Sequence, residues 1–453
     1  MDIVREDIDA LNAVLRIKVG PEDYQDKVEK TLTDYRKKAN VPGFRKGKIP
    51  MGVIKKQYGK PVLAEELNKV INDSLYEFIN SNELNILGNP LPKEDEEVKG
   101  DWDNPGEFEF AYEIGMSPEF KLTLSAKSKY NYYKVKVDKK LVDQQIDDIR
   151  KRYGKLIPEE KVGDKDMILG QFVELDDSGV IKEGGVMNSS TISMEFVEDK
   201  KVQKELIGKK TGEVIVLDPS TVSKGESDMA AMLGLKAEDL AGISNKFNFT
   251  INEVKRMEPA EMDEEFFKKI YPDGAVSTEA EMRAKVEEDL AKMFDQDSER
   301  ILSRDVSEDL IEKTSMDFPD AFLKRWILAS SKEDVTMEMI EGDYDNYTNG
   351  LKWQLIQNKI FKDNELKIES EEIINFTKGL LVNQYAQYGL PAPEEKELTE
   401  SARKVLENQD EANRIYEMMT GEKLLKFFKE TVKLTEKEIS YDEFVKIASG
   451  GKK

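Results

Sequence analysis

The spacing of apolar positions switches from two to about 3.6 and back within the first 118 residues. Leu11, Ala13, Leu15, Ile17 and Val19 alternate with Asn12, Val14, Arg16 and Lys18, the period of a half-buried strand. Gly20-Pro21-Glu22-Asp23 follows and predicts a helix start, with proline early and acids in the first turn. Tyr24, Val28, Leu32 and Tyr35 then form one helical stripe. That helix should end near Asn40, because Val41 precedes Pro42. A loop punctuated by glycine and proline is expected over 41–52. A second amphipathic helix is expected from near Pro61, with Leu63, Leu67, Val70, Ile71 and Leu75 on one side. After a polar connection, Phe108, Phe110, Tyr112 and Ile114 alternate as a strand. Residues 1–118 therefore predict an α+β domain.

Residues 119–158 predict a connector, a short strand around Tyr133 and Val135 followed by a helix marked by Val142, Ile146 and Ile149. From 159 to 257 the pattern becomes mostly β. Strands are expected over 167–175, 192–196, 214–217 and 246–254, with Asp176-Asp177-Ser178-Gly179 and the 208–212 segment as turns. From 258 to 453 the chain is expected to be helical almost to its end. The fold class is therefore multidomain α+β: an α+β domain, a small and mostly antiparallel β domain, and an all-α C-terminal domain.

Composition narrows the chemistry. The 453 residues include neither cysteine nor histidine. This excludes disulfides, thiolate metal sites, a Cys nucleophile and any catalytic triad built on His. No metal, nucleotide or cofactor motif occurs, so no cofactor is expected. The formal net charge is −23, so contact with a polyanion has to come from a local basic patch. The first twenty residues carry Asp2, Arg5, Glu6, Asp7 and Asp9 and contain no apolar core of signal-peptide length. No apolar stretch reaches membrane-spanning length. A cytoplasmic location without membrane contact is expected.

Such a patch is present. Residues 36–60 hold nine basic side chains (Arg36, Lys37, Lys38, Arg45, Lys46, Lys48, Lys55, Lys56 and Lys60) and no acid. At its centre glycines frame Phe44 beside Arg45, Lys46 and Lys48. Cations can meet phosphates, and an aromatic next to arginine is a common hot-spot composition of interfaces. Charge runs are more often plain solvated faces, with the ring tucked into its own domain.

The segment Val41-Pro42-Gly43-Phe44-Arg45-Lys46-Gly47-Lys48-Ile49-Pro50 resembles the ribosome-binding signature of trigger factors, Gly-Phe-Arg-x-Gly-Lys-x-Pro, and matches every fixed position. The resemblance implies that Gly43, Phe44, Arg45, Lys46, Gly47 and Lys48 dock on the large ribosomal subunit, protein and rRNA, at the exit tunnel. It implies a ribosome-binding domain, an FK506-binding-protein-like domain and a SurA-like helical chaperone domain that shields nascent or unfolded polypeptides. The segments 364–367 and 433–438 resemble further stretches of the family. A homodimer off the ribosome is compatible with this reading.

The middle domain resembles the family less closely. Gln171-Phe172 stands where active isomerases carry Asp-Phe, and Glu198-Asp199-Lys200-Lys201-Val202 replaces an apolar step before the short helix. No tryptophan lies between Trp102 and Trp326, so the usual pocket floor is missing. Charged groups line a desolvated slot only at high cost. Phe172 and Val202 are therefore expected to mark a degenerate proline pocket with weak or no isomerase activity. The alternatives are an active peptidyl-prolyl isomerase acting on unfolded chains, and an envelope chaperone of the SurA type. Met282, Met293, Met337, Met339, Met418 and Met419 are candidates for adaptable client contact, against the commoner role of thioethers as core filler.

Overall fold

In the computed structural model, which describes residues 1–450 apart from 41, 43, 46, 47, 273 and 332–334, the chain forms two compact units. One takes in Met1–Asn131 and Arg300–Thr435, the other Tyr132–Glu299 and the chain from Glu436 onward.

The first unit begins with strands β1 (Asp2–Asp7) and β2 (Asn12–Val19), then helices α1 (Pro21–Lys38) and α2 (Met51–Ser81), then β3 (Ile86–Pro92) and β4 (Phe108–Met116). The strands make one antiparallel sheet in the order β1-β2-β4-β3. The core face of β2 supplies Leu15, Ile17 and Val19, all fully buried. The α1 side chain Tyr24 and the α2 residues Leu63, Leu67, Ile71 and Leu75 close over them. Tyr24 stays buried because its hydroxyl donates to the Gly106 carbonyl at 2.8 Å. Fixed φ suits Pro21 to the first turn of α1, while the Asp23 carboxylate accepts the Gly20 N–H at 2.8 Å.

Three sequence expectations change here. β1 is absent from the apolar pattern because it is an edge strand with one half-buried residue. β3 is hidden by its glycine and prolines. Helix α2 starts at Met51, ten residues before Pro61, which lies inside it. An interior proline loses one backbone hydrogen bond and clashes with the preceding turn. Burial of Ile54 and Val62 on the same face offsets that cost.

In the second unit, β6 (Lys155–Glu159), β7 (Asp166–Glu174), β8 (Met187–Ser193), β9 (Val214–Leu217) and β10 (Phe247–Glu258) build an antiparallel sheet; they follow β5 (Lys129–Val135) and α3 (Lys139–Arg152). The order is β6-β10-β7-β8, with β9 also on β10. Short helices α4 (Lys200–Leu206) and α5 (Glu226–Leu233) accompany it. The strand expected over 192–196 instead spans Met187–Ser193 and gives way to a single 3-10 turn at Met194–Phe196. After Met187 it runs through Asn188, Ser189, Ser190 and Thr191, which carry no apolar alternation but pair with β7 throughout.

The remaining helices are α6 (Glu264–Ile270), α7 (Glu279–Lys313), α8 (Asp320–Ser330), α9 (Met337–Asp363), α10 (Ser370–Gln387), α11 (Glu395–Leu406) and α12 (Gln409–Thr431). Strand β11 (Lys433–Ile439), which pairs with β5, and helix α13 (Tyr441–Ala448) follow. Within the first unit α8 sits on β3 and β4. Gly88, at φ +73, lies under the Trp326 indole, where an added Cβ would fall 2.6 Å from the ring. The position therefore needs glycine for both conformation and space. Arg325 also pairs with Glu113.

Candidate functional site

The loop between α1 and α2 stands on a small apolar base. Ile49 and Ile54 are fully buried with Leu32 and Val62 beneath it. The Tyr35 and Tyr58 rings meet at 5.5 Å across the two helices. Ala39 N–H donates to the Tyr35 carbonyl at 2.7 Å and closes α1, while Pro50 accepts from Val53 N–H at 3.0 Å and opens α2. Between them Lys48 N–H donates to the Arg45 carbonyl at 2.9 Å. Just before α2, Ile49 turns into this base while Lys48 and Pro50 on either side of it are exposed. Phe44 is 41% exposed, and Arg45 and Lys48 are exposed. Gly43, Lys46 and Gly47 lie outside the described residues.

The charges of this window divide into two sets. Lys37 holds Asp34 at 2.7 Å, Lys55 meets Glu29 at 3.4 Å and Lys60 meets Asp103 at 2.7 Å. The hydrogen bond from Lys37 keeps the Asp34 carboxyl below its ordinary range. Arg36, Lys38, Arg45, Lys48 and Lys56 form no ion pair among the described residues, although the Lys38 charge still helps to hold the Asp34 carboxyl down. In a chain with 92 acids, a cation without a partner has not been neutralised by its own fold. It keeps its charge for an outside anion.

The middle region is arranged differently. Phe172 is fully buried, with Phe249 at 4.6 Å and Phe247 at 6.4 Å between ring centroids. Val202 is half-buried and packs on the same core. The charged run before it has a local structural role: the Asp199 carboxylate accepts Lys201 N–H at 2.7 Å and Val202 N–H at 3.3 Å, capping α4. Phe196 is exposed, and the Lys224 ammonium lies 3.3 Å from its ring centre. Two acids bracket the core stripe of β7. Asp166, fully buried, takes the Arg256 guanidinium at 2.7 and 2.9 Å and the Gly163 N–H at 2.6 Å. Glu174, nearly as buried, accepts from Lys182 at 2.6 Å, Val186 N–H at 2.9 Å and Ser244 N–H at 3.0 Å. Burial pushes the Glu174 carboxyl up, but these donors outweigh it and hold the group below its ordinary value. Sequence reasoning passed over both acids. The signal was available, since Asp166, Ile168, Gly170, Phe172 and Glu174 share one face of a period-two strand.

Among the helices, α9 and α12 line a groove of about 710 Å³ with Trp353, Gln354, Gln357, Phe361, Asn413 and Tyr416. The candidate methionines split. Met282 and Met419 are core, Met337 is half-buried, and Met293, Met339 and Met418 are exposed. No helix among the described residues is long and apolar enough to cross a membrane.

Three family models match in chain order: "Bacterial trigger factor protein" over residues 1–149, "Probable trigger factor, FKBP-like domain" over 156–259, and "Probable trigger factor, C-terminal domain" over 298–448. The trigger factor of Chlorobaculum tepidum is 25% identical over 378 residues, covering 80% of this chain and 83% of that one. That of Rickettsia rickettsii is 28% identical over 312 residues, 66% of each chain. A solved structure described as "Promiscuous Substrate Recognition in Folding and Assembly Activities of the Trigger Factor Chaperone" matches with a TM-score of 0.46 at 16% identity, over 94% of this chain and 99% of that one. From its N-terminal model to its C-terminal one, the chain belongs to the trigger factor family of ribosome-associated chaperones.

Proposed function

We propose that this chain works in the cytoplasm, docks on the large ribosomal subunit at the tunnel exit through the α1–α2 loop, and shields nascent polypeptides there. Within the Gly43–Lys48 signature, Phe44 would fill an apolar slot on the partner, and Arg45, Lys46 and Lys48 would meet phosphates. One observation carries the reading: Arg45 and Lys48 are exposed beside an exposed Phe44 and find no acid within the described chain. The proposed domains are 1–118 for docking, 119–158 as connector, 159–257 in the middle and 258–453 for holding clients. Co-sedimentation with 70S ribosomes tests the docking step. The wild-type chain should pellet and Phe44→Ala/Arg45→Ala/Lys46→Ala should stay in the supernatant; equal pelleting overturns the assignment.

The same proposal assigns the middle domain weak or no isomerase activity. X–Pro rotation is slow unaided, and its catalysis needs an apolar face open to the proline. The full enclosure of Phe172 and the use of Asp199 as a helix cap support a closed site. A proline-peptide isomerisation assay on the full chain decides the point. A catalytic efficiency close to that of active FK506-binding proteins would reverse it.

A further inference from the structure

We propose a second contact beside the docking loop: the Tyr35 ring is a stacking platform for an unpaired nucleotide of ribosomal RNA. The proposal rests on the docking reading above and adds to it a residue and a class of ligand. Tyr35 is 40% exposed on the last turns of α1, although its ring touches Tyr58 at 5.5 Å. The two rings are tilted by 40° to each other, and Tyr35 remains exposed despite the contact. Lys38 is three residues further on, so cation and ring share a helix face. On α2, Lys55 stands three residues before Tyr58 and is exposed, although it also meets Glu29 at 3.4 Å. The acid nearest in sequence, Asp34, is engaged by Lys37.

These parts match what single-stranded nucleic acid requires. A base offers a flat face that stacks on an aromatic ring without needing a shaped pocket, and its phosphate needs a cation close by. The three basic residues in the last turn of α1 also offset the negative end of the helix dipole, which would otherwise repel a phosphate there. Charge complementarity selects the occupant. In a chain of net charge −23, the acid-free 36–60 window is where a polyanion can approach, and Tyr35 lies at its border.

The test uses the full chain and isolated large ribosomal subunits. Tyr35→Phe keeps the ring and should bind as wild type. Tyr35→Leu keeps apolar bulk over Tyr58 but removes the stacking face, and should bind about tenfold more weakly. Its thermal unfolding should match that of Tyr35→Phe. A benzoylphenylalanine placed at position 35 should crosslink to rRNA. Equal affinity of Tyr35→Leu and wild type overturns the proposal, as does crosslinking to ribosomal protein alone. Phe44→Ala/Arg45→Ala/Lys46→Ala run in parallel separates the two readings. If that variant binds normally the loop assignment fails, whereas a loss there with Tyr35→Leu unchanged removes only the stacking contact.

Discussion

The α1–α2 loop and the β7–β10 core of the middle region each hold a phenylalanine among charges, and they treat them in opposite ways. At the loop Phe44 stays in solvent and the exposed Arg45 and Lys48 side chains form no ion pair among the described residues. In the middle region Phe172 is enclosed by Phe247 and Phe249, and the nearby acids are saturated by Arg256, Lys182 and backbone N–H groups. A side chain whose interactions are completed inside the fold stabilises the fold. One left incomplete has that interaction free energy available for a partner. The two phenylalanines are thus separated by where their contacts are made, and substitutions should reveal this as stability in one region and binding in the other.

The largest effect should come from Asp166→Ala. Removing one partner of a buried ion pair strands the other and costs about 3–5 kcal/mol. The Arg256 side chain is 43% exposed and keeps Glu159 at 2.8 Å as a second partner, so a loss at the low end, about 3 kcal/mol in urea unfolding, is expected. Ribosome docking by the folded variant should be unchanged. A loss of docking at equal occupancy of the folded state would break the separation between the two regions.

Phe44→Ala should do the reverse. An exposed side chain away from buried contacts changes stability by about 0.5 kcal/mol or less. A hot-spot aromatic contributes about 2 kcal/mol to binding, roughly thirtyfold in Kd. The measurement pairs urea unfolding with ribosome titration. A large stability loss would mean that the ring completes the domain's own core.

The loop was legible because its signal is made of residue identities at fixed spacing, flanked by clear periodicity. The strand ending at Val19, helix α1 and the region of β4 could be read for the same reason. The start of α2 could not be read, because Pro61 argued locally for a boundary and only the burial of Ile54 against Leu32 argues against one. β8 could not be read because its stability comes from the β7 ladder and not from an apolar face of its own. The pocket counterpart was half legible. The sequence gives Phe172 and a charged run, but only the fold assigns Asp199 to a cap and closes the other rings on Phe172.

Glu174→Gln should have an intermediate effect on the middle region alone. The amide keeps the shape but loses the charge that answers Lys182 and two backbone donors, a cost of about 1–2 kcal/mol at neutral pH. Because the folded state lowers the Glu174 pKa, its contribution is complete above the unfolded value of about 4.3. It fades as pH falls from there through the lowered folded value. The gap between wild type and Glu174→Gln in urea midpoints should therefore be widest at neutral pH and should narrow toward acid. A gap that widens in acid would mean that the carboxyl is held protonated.

The smallest effects test whether an internal partner alone decides what a cation offers. Lys37 and Lys38 are neighbours on one exposed turn, but Lys37 is held by Asp34 at 2.7 Å, whereas Lys38 forms no ion pair among the described residues and acts on Asp34 only at longer range. Exposed pairs are worth only about 0–1 kcal/mol, so Lys37 is partly withheld from an outside anion. Lys38→Ala should lower the salt dependence of docking by about one counterion and weaken it a few-fold. Asp34→Ala is the sharper experiment, because it adds no group and removes none from the candidate contact. It frees Lys37 and deletes a nearby negative charge, so docking should tighten by about twofold at low salt, with the gain vanishing as salt screens it. If Asp34→Ala docks more weakly, Asp34 is itself a contact, and the difference between the loop and the middle region is one of position and not of pairing.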